Sequence, residues 1–336
     1  MAPDVLLVSV VVLAFGLAWG VTRSCCRPGS WLHFLDMPNE RSLHATPTPR
    51  TGGVGVMVGV LAAGGGLAVL GSPGRPEGLA LLGAGLLAGL GLVDDRRSLS
   101  ARLRLLAQLA VAGLFLAAAG FELPGWTWPL LGLGLVWMSN LYNFMDGADG
   151  LAGGMALFGF AFLAVAARLA GEAGLATLAA GVAAAAAGFL CFNLHPARIF
   201  MGDVGSVPLG FLAGALGLAG WSRGAWPLWF PLLVFAPFIL DASVTLAKRA
   251  LRGEKVWQAH RSHYYQRLVR LGLGHRKTAW LAYALMAGAG GFGLLALPLG
   301  FSLQCIIITM TVLVHLLLGY RIDRAWRRHE ARSLKS

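Results

Sequence analysis

Long apolar runs separated by short polar breaks dominate this chain of 336 residues. A helix that crosses a bilayer needs about 20 mostly apolar residues. Eleven stretches meet that need, near residues 5–22, 52–71, 77–93, 103–121, 127–145, 151–170, 174–192, 206–221, 226–247, 278–299 and 301–320. The breaks after Leu70, Arg168 and Leu299 suit tight hairpins, and Gly, Pro and polar clusters punctuate the others. The pattern predicts an all-α, polytopic integral membrane protein with about 11 transmembrane helices. One transmembrane domain spans 1–320, with polar loops at 23–51, 94–102, 146–150, 193–205 and 248–277 and a basic tail at 321–336. The first run has no basic residue before it and no clear cleavage site after it, so it reads as a span and not as a signal peptide.

Composition agrees. Hydrophobic residues make up 57% and charged residues 12%, with a mean hydropathy of +0.69. A soluble domain carries about 25% charged residues, so a soluble enzyme and a disordered chain are both excluded. The 47 glycines suit helices that approach closely in lipid. Four cysteines show neither metal-ligand spacing nor a disulfide framework.

The net charge of +12 would suggest nucleic acid in a soluble protein. Here it has a different origin. Assigning the breaks alternately to two sides puts 24 of the 27 Lys and Arg on one side, leaving only Arg75, Arg168 and Arg223 opposite. Lys and Arg accumulate on the cytoplasmic side. The N-terminus is therefore expected outside, the C-terminus inside, and no nucleic-acid partner is expected. Part of the charge remains available to a polyanion or to anionic lipid heads.

Eleven of the 15 carboxylates follow the basic side. Asp94, Asp95, Asp146, Asp149, Asp203 and Asp241 sit at or just inside helix ends. A carboxylate at the bilayer centre costs at least about 2.5 kcal/mol, so such groups persist where they pair, meet water or do chemistry. Adjacent Asp94 and Asp95 raise one another's pKa unless a cation intervenes. A hard ion such as Mg²⁺, which takes oxygen ligands and keeps positions open for phosphate, is the natural one; a capped, solvated helix end paired with Arg96 and Arg97 is the competing reading. Asn140, Asn143, Asp146 and Asp149 recur every third residue and would form one polar stripe on a helix. Asn amides donate and accept, which suits sugar hydroxyls or phosphate oxygens, although an interhelical hydrogen-bond stripe has the same spacing. Asp203 lies between Gly202 and Gly205, in a setting that exposes a carboxylate to a metal, and Ser206 is placed to cap the next span. The basic loop 248–277 carries His260, Arg261 and His263; Arg holds phosphate bidentately, and a plain topogenic loop is the alternative. Asp241 is a candidate buried partner for Arg249 or Arg252. Arg50, before Gly52 and Gly53, offers a cation and backbone amides to an anion.

Together these segments resemble the polyprenyl-phosphate N-acetylhexosamine-1-phosphate transferase superfamily, the glycosyltransferase family 4 type. The order matches: His44, Pro49-Arg50 and Gly52-Gly53; Asp94-Asp95; Asn140, Asn143, Asp146-Gly147, Asp149-Gly150; Asn193, Pro196-Ala197, Phe200-Met201-Gly202-Asp203, Gly205-Ser206; then the His-containing basic loop. The resemblance covers roughly residues 36–277. It implies transfer of a sugar 1-phosphate from a UDP-N-acetylhexosamine to undecaprenyl phosphate at the cytoplasmic face of the bacterial inner membrane, with Mg²⁺, or Mn²⁺ in its place, as cofactor. It also implies roles. Asp203 would be the metal ligand. Asp94, Asp95 and Asp146 would be catalytic, with Asp94 as base or nucleophile. Arg50, Arg104, Asn140, Asn143, Asp149, Asn193, His260, Arg261 and His263 would bind substrate. The lipid bilayer is the implied environment, and a homodimer is compatible with it.

The last loop departs from part of the superfamily. It has His260-Arg261-Ser262-His263-Tyr264-Tyr265-Gln266 where the peptidoglycan-precursor branch carries a triple-His run. The loop looks more like the O-antigen-initiating subgroup, which disfavours a phospho-N-acetylmuramoyl-pentapeptide substrate and leaves the sugar open among N-acetylhexosamines. A secondary transporter is the rival from another class. Its carboxylates would be expected near the midplane and its halves would repeat; here they gather at one face and no repeat is evident.

Overall fold

The computed structural model describes residues 3–38, 43, 46–70, 74–258 and 260–333. His44 of the first motif lies outside the described residues. After α1 (Pro3–Cys25), strands β1 (Leu35–Asp36) and β2 (Thr48–Pro49) form a short antiparallel ribbon with Leu35 opposite Pro49. Then come α2 (Gly52–Leu70), α3 (Arg75–Arg97), α4 (Ala101–Ala118), α5 (Trp128–Phe144), α6 (Leu151–Leu169), α7 (Ala173–Asn193) and α8 (Asp203–Ser222). The chain ends with α9 (Trp229–Val234), α10 (Ala236–Leu251), α11 (Tyr264–Leu268), α12 (Gly274–Ala296) and α13 (Phe301–Ser333).

Every predicted apolar stretch carries helix, so the protein is an all-α polytopic membrane protein. The count needs refinement. Among the described residues, nine helical stretches are long and apolar enough to cross a membrane. Of the other two predicted spans, the fifth is α5, with 17 residues, and the ninth is broken at Phe235 into α9 and α10. Pro237 explains the break: it has no N–H for the Leu233 carbonyl, and its ring collides with that carbonyl in a continuous helix. The loops are shorter than expected. Asp94–Arg97 still belong to α3, and the basic stretch from Arg321 continues α13 as far as Ser333.

Helix α8 is the axis of the bundle. It packs against α2, α3 and α5, and 89% of its apolar window is buried, against 6% for α13. Small residues make this feasible. Any side chain at Gly205 would strike the backbone of Gly53 on α2, and one at Gly210 would strike α5 at Met138 and Ser139.

At the end of the bundle away from the acidic motifs, Glu77 of α3 is fully buried. Both its oxygens accept from the guanidinium of Arg223, which also donates to Glu172 at 3.1 Å. One cation thus ties α3, α7 and α8 together, which accounts for an arginine on the sparsely charged side. Arg223→Ala is expected to cost about 3–5 kcal/mol, because it strands a buried carboxylate. The check is a lowered thermal-unfolding midpoint in detergent, recovered in part by adding Glu77→Gln.

Candidate active site

The acidic motifs meet where the C-terminal ends of α3, α5 and α7 lie beside the N-terminus of α8. Helix α3 ends on Ser98 in the left-handed region (φ 50°), whose N–H returns to the Asp94 carbonyl at 2.9 Å. Ser100 then caps α4, accepting from the Leu103 N–H at 3.3 Å. This tight turn brings Arg104 back over the end of α3. Its Nη1 donates to Asp94 Oδ2 at 2.8 Å and to Asp203 Oδ2 at 3.4 Å. The Leu99 N–H satisfies the other Asp94 oxygen. One guanidinium therefore bridges two carboxylates 109 positions apart in sequence.

Asp95 points the other way, as neighbours on a helix must. Its carboxylate accepts from the Asp203 and Val204 N–H groups at 3.4 and 3.2 Å, and so caps α8. Arg50 donates to the Asp95 backbone carbonyl, with Nε 3.8 Å from its carboxylate. Gly202 is the hinge of this arrangement. Its φ is +73°, and a Cβ there would collide with the Arg50 carbonyl and the Asp95 carboxylate. Helix α8 starts at Asp203, so Ser206 is not its cap: the Ser206 hydroxyl donates to the Gly202 carbonyl at 3.0 Å.

Asn143 completes the core of the site. Its amide donates to Asp203 Oδ1 at 2.7 Å and to Ser206 Oγ at 3.0 Å. The expected four-residue stripe does not form, because α5 ends at Phe144 and leaves Asp146 and Asp149 in the following turn. Asp146 still reaches the site. Burial, then the Asp203 and Asp95 carboxylates, push its pKa up to about 7.

A cavity of about 330 Å³ opens at this point. Arg50, Asp95, Asn143, Asp146, Asn193 and Asp203 all line it, as do three residues that were not anticipated, Asp36, Leu43 and Gln266. Asn193 faces it while locking two loops, accepting from the Gly150 N–H at 3.0 Å and donating to the Ile199 carbonyl at 2.8 Å. Gln266 had a legible signal: it lies three residues after His263 and accepts that residue's N–H at 3.2 Å, as in a capping box.

Other candidates stand elsewhere. Asp94 and Arg104 act on Asp203 from outside the lining. Asn140 donates to Gln108 at 2.6 Å, an α5–α4 strut, so for this residue the interhelical reading holds. Asp149 sits between two imidazoles, 2.6 Å from His195 Nδ1 and 3.3 Å from His275 Nδ1, and accepts the Ala197 N–H at 3.2 Å. Burial alone would raise its pKa; these hydrogen bonds outweigh it and hold the carboxyl below the usual range. The Asp149 group joins two loops to the start of α12 and does not line the cavity. His263 is buried, 3.3 Å from the Asp241 carboxylate, which accepts the Tyr264 and Tyr265 N–H groups at 2.9 and 3.0 Å. Asp241 therefore starts α11 and is not the partner of Arg249, which binds Glu254 at 2.7 Å. Arg261 lines a separate groove beside α13.

The profile of glycosyl transferase family 4 matches residues 78–220, the stretch that supplies all four clustered carboxylates. A probable undecaprenyl-phosphate N-acetylglucosaminyl 1-phosphate transferase of Bacillus subtilis (strain 168) is 32% identical over 268 residues, covering 75% of this chain and 74% of that protein. The chain belongs to this family of polyprenyl-phosphate N-acetylhexosamine-1-phosphate transferases. An undecaprenyl-phosphate α-N-acetylglucosaminyl 1-phosphate transferase of Yersinia pestis is 29% identical, covering 87% of this chain and 85% of its own length. A phospho-N-acetylmuramoyl-pentapeptide-transferase of Desulforamulus reducens reaches 38%, over only 51% of this chain and 59% of that protein.

His260 is the family candidate whose charge state is testable on its own. Burial, then His263 and Arg249, push its imidazole down from 6.5 to about 4. An imidazole clamped on phosphate would shift upward. Between pH 6.5 and 4 the unfolded chain binds the proton first, so stability should fall as pH drops through that window. His260→Gln should lose less of its thermal midpoint over this range than wild type; a larger loss would mean the ring is charged in the fold.

Proposed function

We propose that this protein transfers an N-acetylhexosamine 1-phosphate from a UDP-sugar to a polyprenyl phosphate, releasing UMP and leaving a polyprenyl diphosphate sugar. A P–O bond forms to the phosphorus that carries the sugar, and the diphosphate bond of the UDP-sugar breaks. The observation that carries the reading is the gathering of Asp95, Asp146 and Asp203 with Arg50 and Asn143 around one cavity at one end of an apolar bundle. The names of the two relatives that cover most of the chain support N-acetylglucosamine as the sugar. The peptidoglycan precursor is less well supported, since the relative bearing that name aligns with about half the chain and the triple-His run is absent.

The donor set fits Mg²⁺. Among the described residues no three Asp, Glu, His or Cys side chains form a ready-made metal cage. Mg²⁺ seldom needs one, because it binds through one or two carboxylates, substrate phosphates and water. Asp203, which lines the cavity at the start of α8, is the residue proposed to hold it. When bound, the ion would neutralise phosphate oxygens as charge develops on them. Everything else falls to the chain. Asn143 and Arg104 fix the Asp203 carboxylate from two sides, and Asp95 fixes the helix that bears it. Arg50 presents a cation to anionic substrate. Asp146, buried beside the cluster and lining the cavity, is the proposed proton acceptor for the lipid phosphate. The basic loops at this end of the bundle support a site at the cytoplasmic face, in the inner membrane of a bacterium. An apolar cavity of about 320 Å³ between α5, α8 and α9, reaching from Leu130 to Met138 on the helix that bears Asn143, is of a chemistry that suits part of a prenyl chain.

The test is purified protein incubated with undecaprenyl phosphate and radiolabelled UDP-sugars, followed by extraction of lipid-linked product. UDP-N-acetylglucosamine should give product, EDTA should stop the reaction and Mg²⁺ should restore it. Asp203→Asn should lower turnover by about 10²–10³-fold, the scale of losing a preorganised charge contact, while the protein still folds. Asn140→Ala should lower the thermal midpoint and leave KM unchanged. Wild-type turnover in Asp203→Asn would reject the site.

A further inference from the structure

A second large concave surface lies apart from the candidate active site. A groove of about 740 Å³ lies between the loop after α10, α11 and the extension of α13. Six cationic side chains line it, among them Lys248, Arg267, Arg270 and Arg327, against two carboxylates, Asp323 and Glu330. It shares Lys248, Tyr320 and Asp323 with an apolar cavity of about 240 Å³ enclosed by α10, α12 and α13. Aliphatic and aromatic groups such as Leu281, Leu285 and Leu316 line that cavity. The two surfaces therefore meet end to end, basic at the helix ends and apolar within the bundle.

Two buried polar groups point to a ligand. Arg267 is 7% exposed and lines the groove; its Nη1 donates to Asp323 at 2.7 Å, but its Nε has no partner among the described residues. Thr278 is 1% exposed and lines the apolar cavity, and its hydroxyl also lacks a partner there. Unpaired buried donors are costly, each by roughly 1–3 kcal/mol. Thr278 lies one turn inside α12, about 6 Å below its start at the usual rise. A hydroxyl at that depth suits an ester carbonyl, and a guanidinium at the mouth suits a phosphate.

We propose that this is a binding site for an anionic phospholipid. Its phosphate head sits on the Arg267–Arg270 groove and one acyl chain enters the cavity under Thr278. The occupant is not the lipid substrate. Tyr265 and Met145 line the apolar cavity from the side of the active site, and the Tyr265 hydroxyl donates to the Phe144 carbonyl at 3.0 Å across that wall. Helix α11, which bears Arg267, also carries Gln266 into the catalytic cavity. Lipid occupancy therefore braces one wall of the active site from behind.

The test is native mass spectrometry of the full chain in delipidated detergent, titrated with phosphatidylglycerol or phosphatidylcholine of matched chains. This readout does not depend on transferase activity, so its failure and the failure of the proposed reaction are separate results. Phosphatidylglycerol should bind at least tenfold tighter than phosphatidylcholine. The double variant Arg270→Gln, Arg327→Gln should lose that preference, and Leu285→Trp, which fills the cavity, should weaken both lipids. Equal binding of the two lipids to wild type, or an unchanged preference in the double variant, would overturn the site. So would displacement of bound phosphatidylglycerol by equimolar undecaprenyl phosphate, which would assign the groove to the substrate.

Discussion

The site depends on keeping like charges close together where water is scarce. Asp94 and Asp95 are adjacent and each less than a tenth exposed, and Asp146 and Asp203 complete the cluster. Removing a carboxylate from water costs several kcal/mol even after relaxation, and mutual repulsion adds to it. The protein offsets this with fixed donors to three of the four acids. Arg104 serves Asp94 and Asp203, the start of α8 serves Asp95, and Asn143 holds the remaining Asp203 oxygen. These partners also fix the direction of those three carboxylates. Orientation and stability thus have a single cause, and the residual negative charge is aimed into the cavity.

That arrangement constrains the backbone. Asp95 can cap α8 only if α3 and α8 nearly touch, which is why Gly91 faces the Asp203 carbonyl and Gly202 turns with positive φ under Arg50. Gly53 against Gly205 brings α2 and its preceding Arg50 to the same point. The glycine content that marks a membrane protein is, at these positions, a requirement of the site. Helix α8 is the most buried span because four elements converge on its first turn.

Much of this was legible in the residues. Apolar run lengths located every long helix, since a span is a local property; α11 lies inside the stretch 248–277 that reads as a polar loop. The motif order identified Asp95, Asn143, Asp146, Asn193, Asp203 and Arg50, and all six line one cavity. What failed was geometry that depends on where a helix stops. The period of three from Asn140 to Asp149 assumed a continuous helix; α5 ends at Phe144, so Asn140 became a strut to Gln108 and Asp149 a clamp for His195 and His275. Pairings across loops were equally hidden. Nothing near Asp241 announced that it would start α11, and Glu77 met Arg223 only because both ends of α3 and α8 are in register. The break at Phe235 was visible in Pro237, but its consequence for span counting was not.

The basic residues show how one physical term serves different ends. As a sum they orient the chain. Individually they separate into three uses. Arg50 and Arg104 neutralise the acidic cluster, Arg249 closes its own loop on Glu254, and Lys248, Arg267 and Arg270 surround a groove in which they outnumber the available carboxylates. A topogenic signal alone would be indifferent to which surface the charges occupied. Their concentration over an apolar cavity, beside a buried guanidinium with a donor left over, is what a surface for negatively charged lipid requires. Because α11 separates that surface from the catalytic cavity and contributes a side chain to each, the bilayer's own composition has a physical route to the geometry around Asp203.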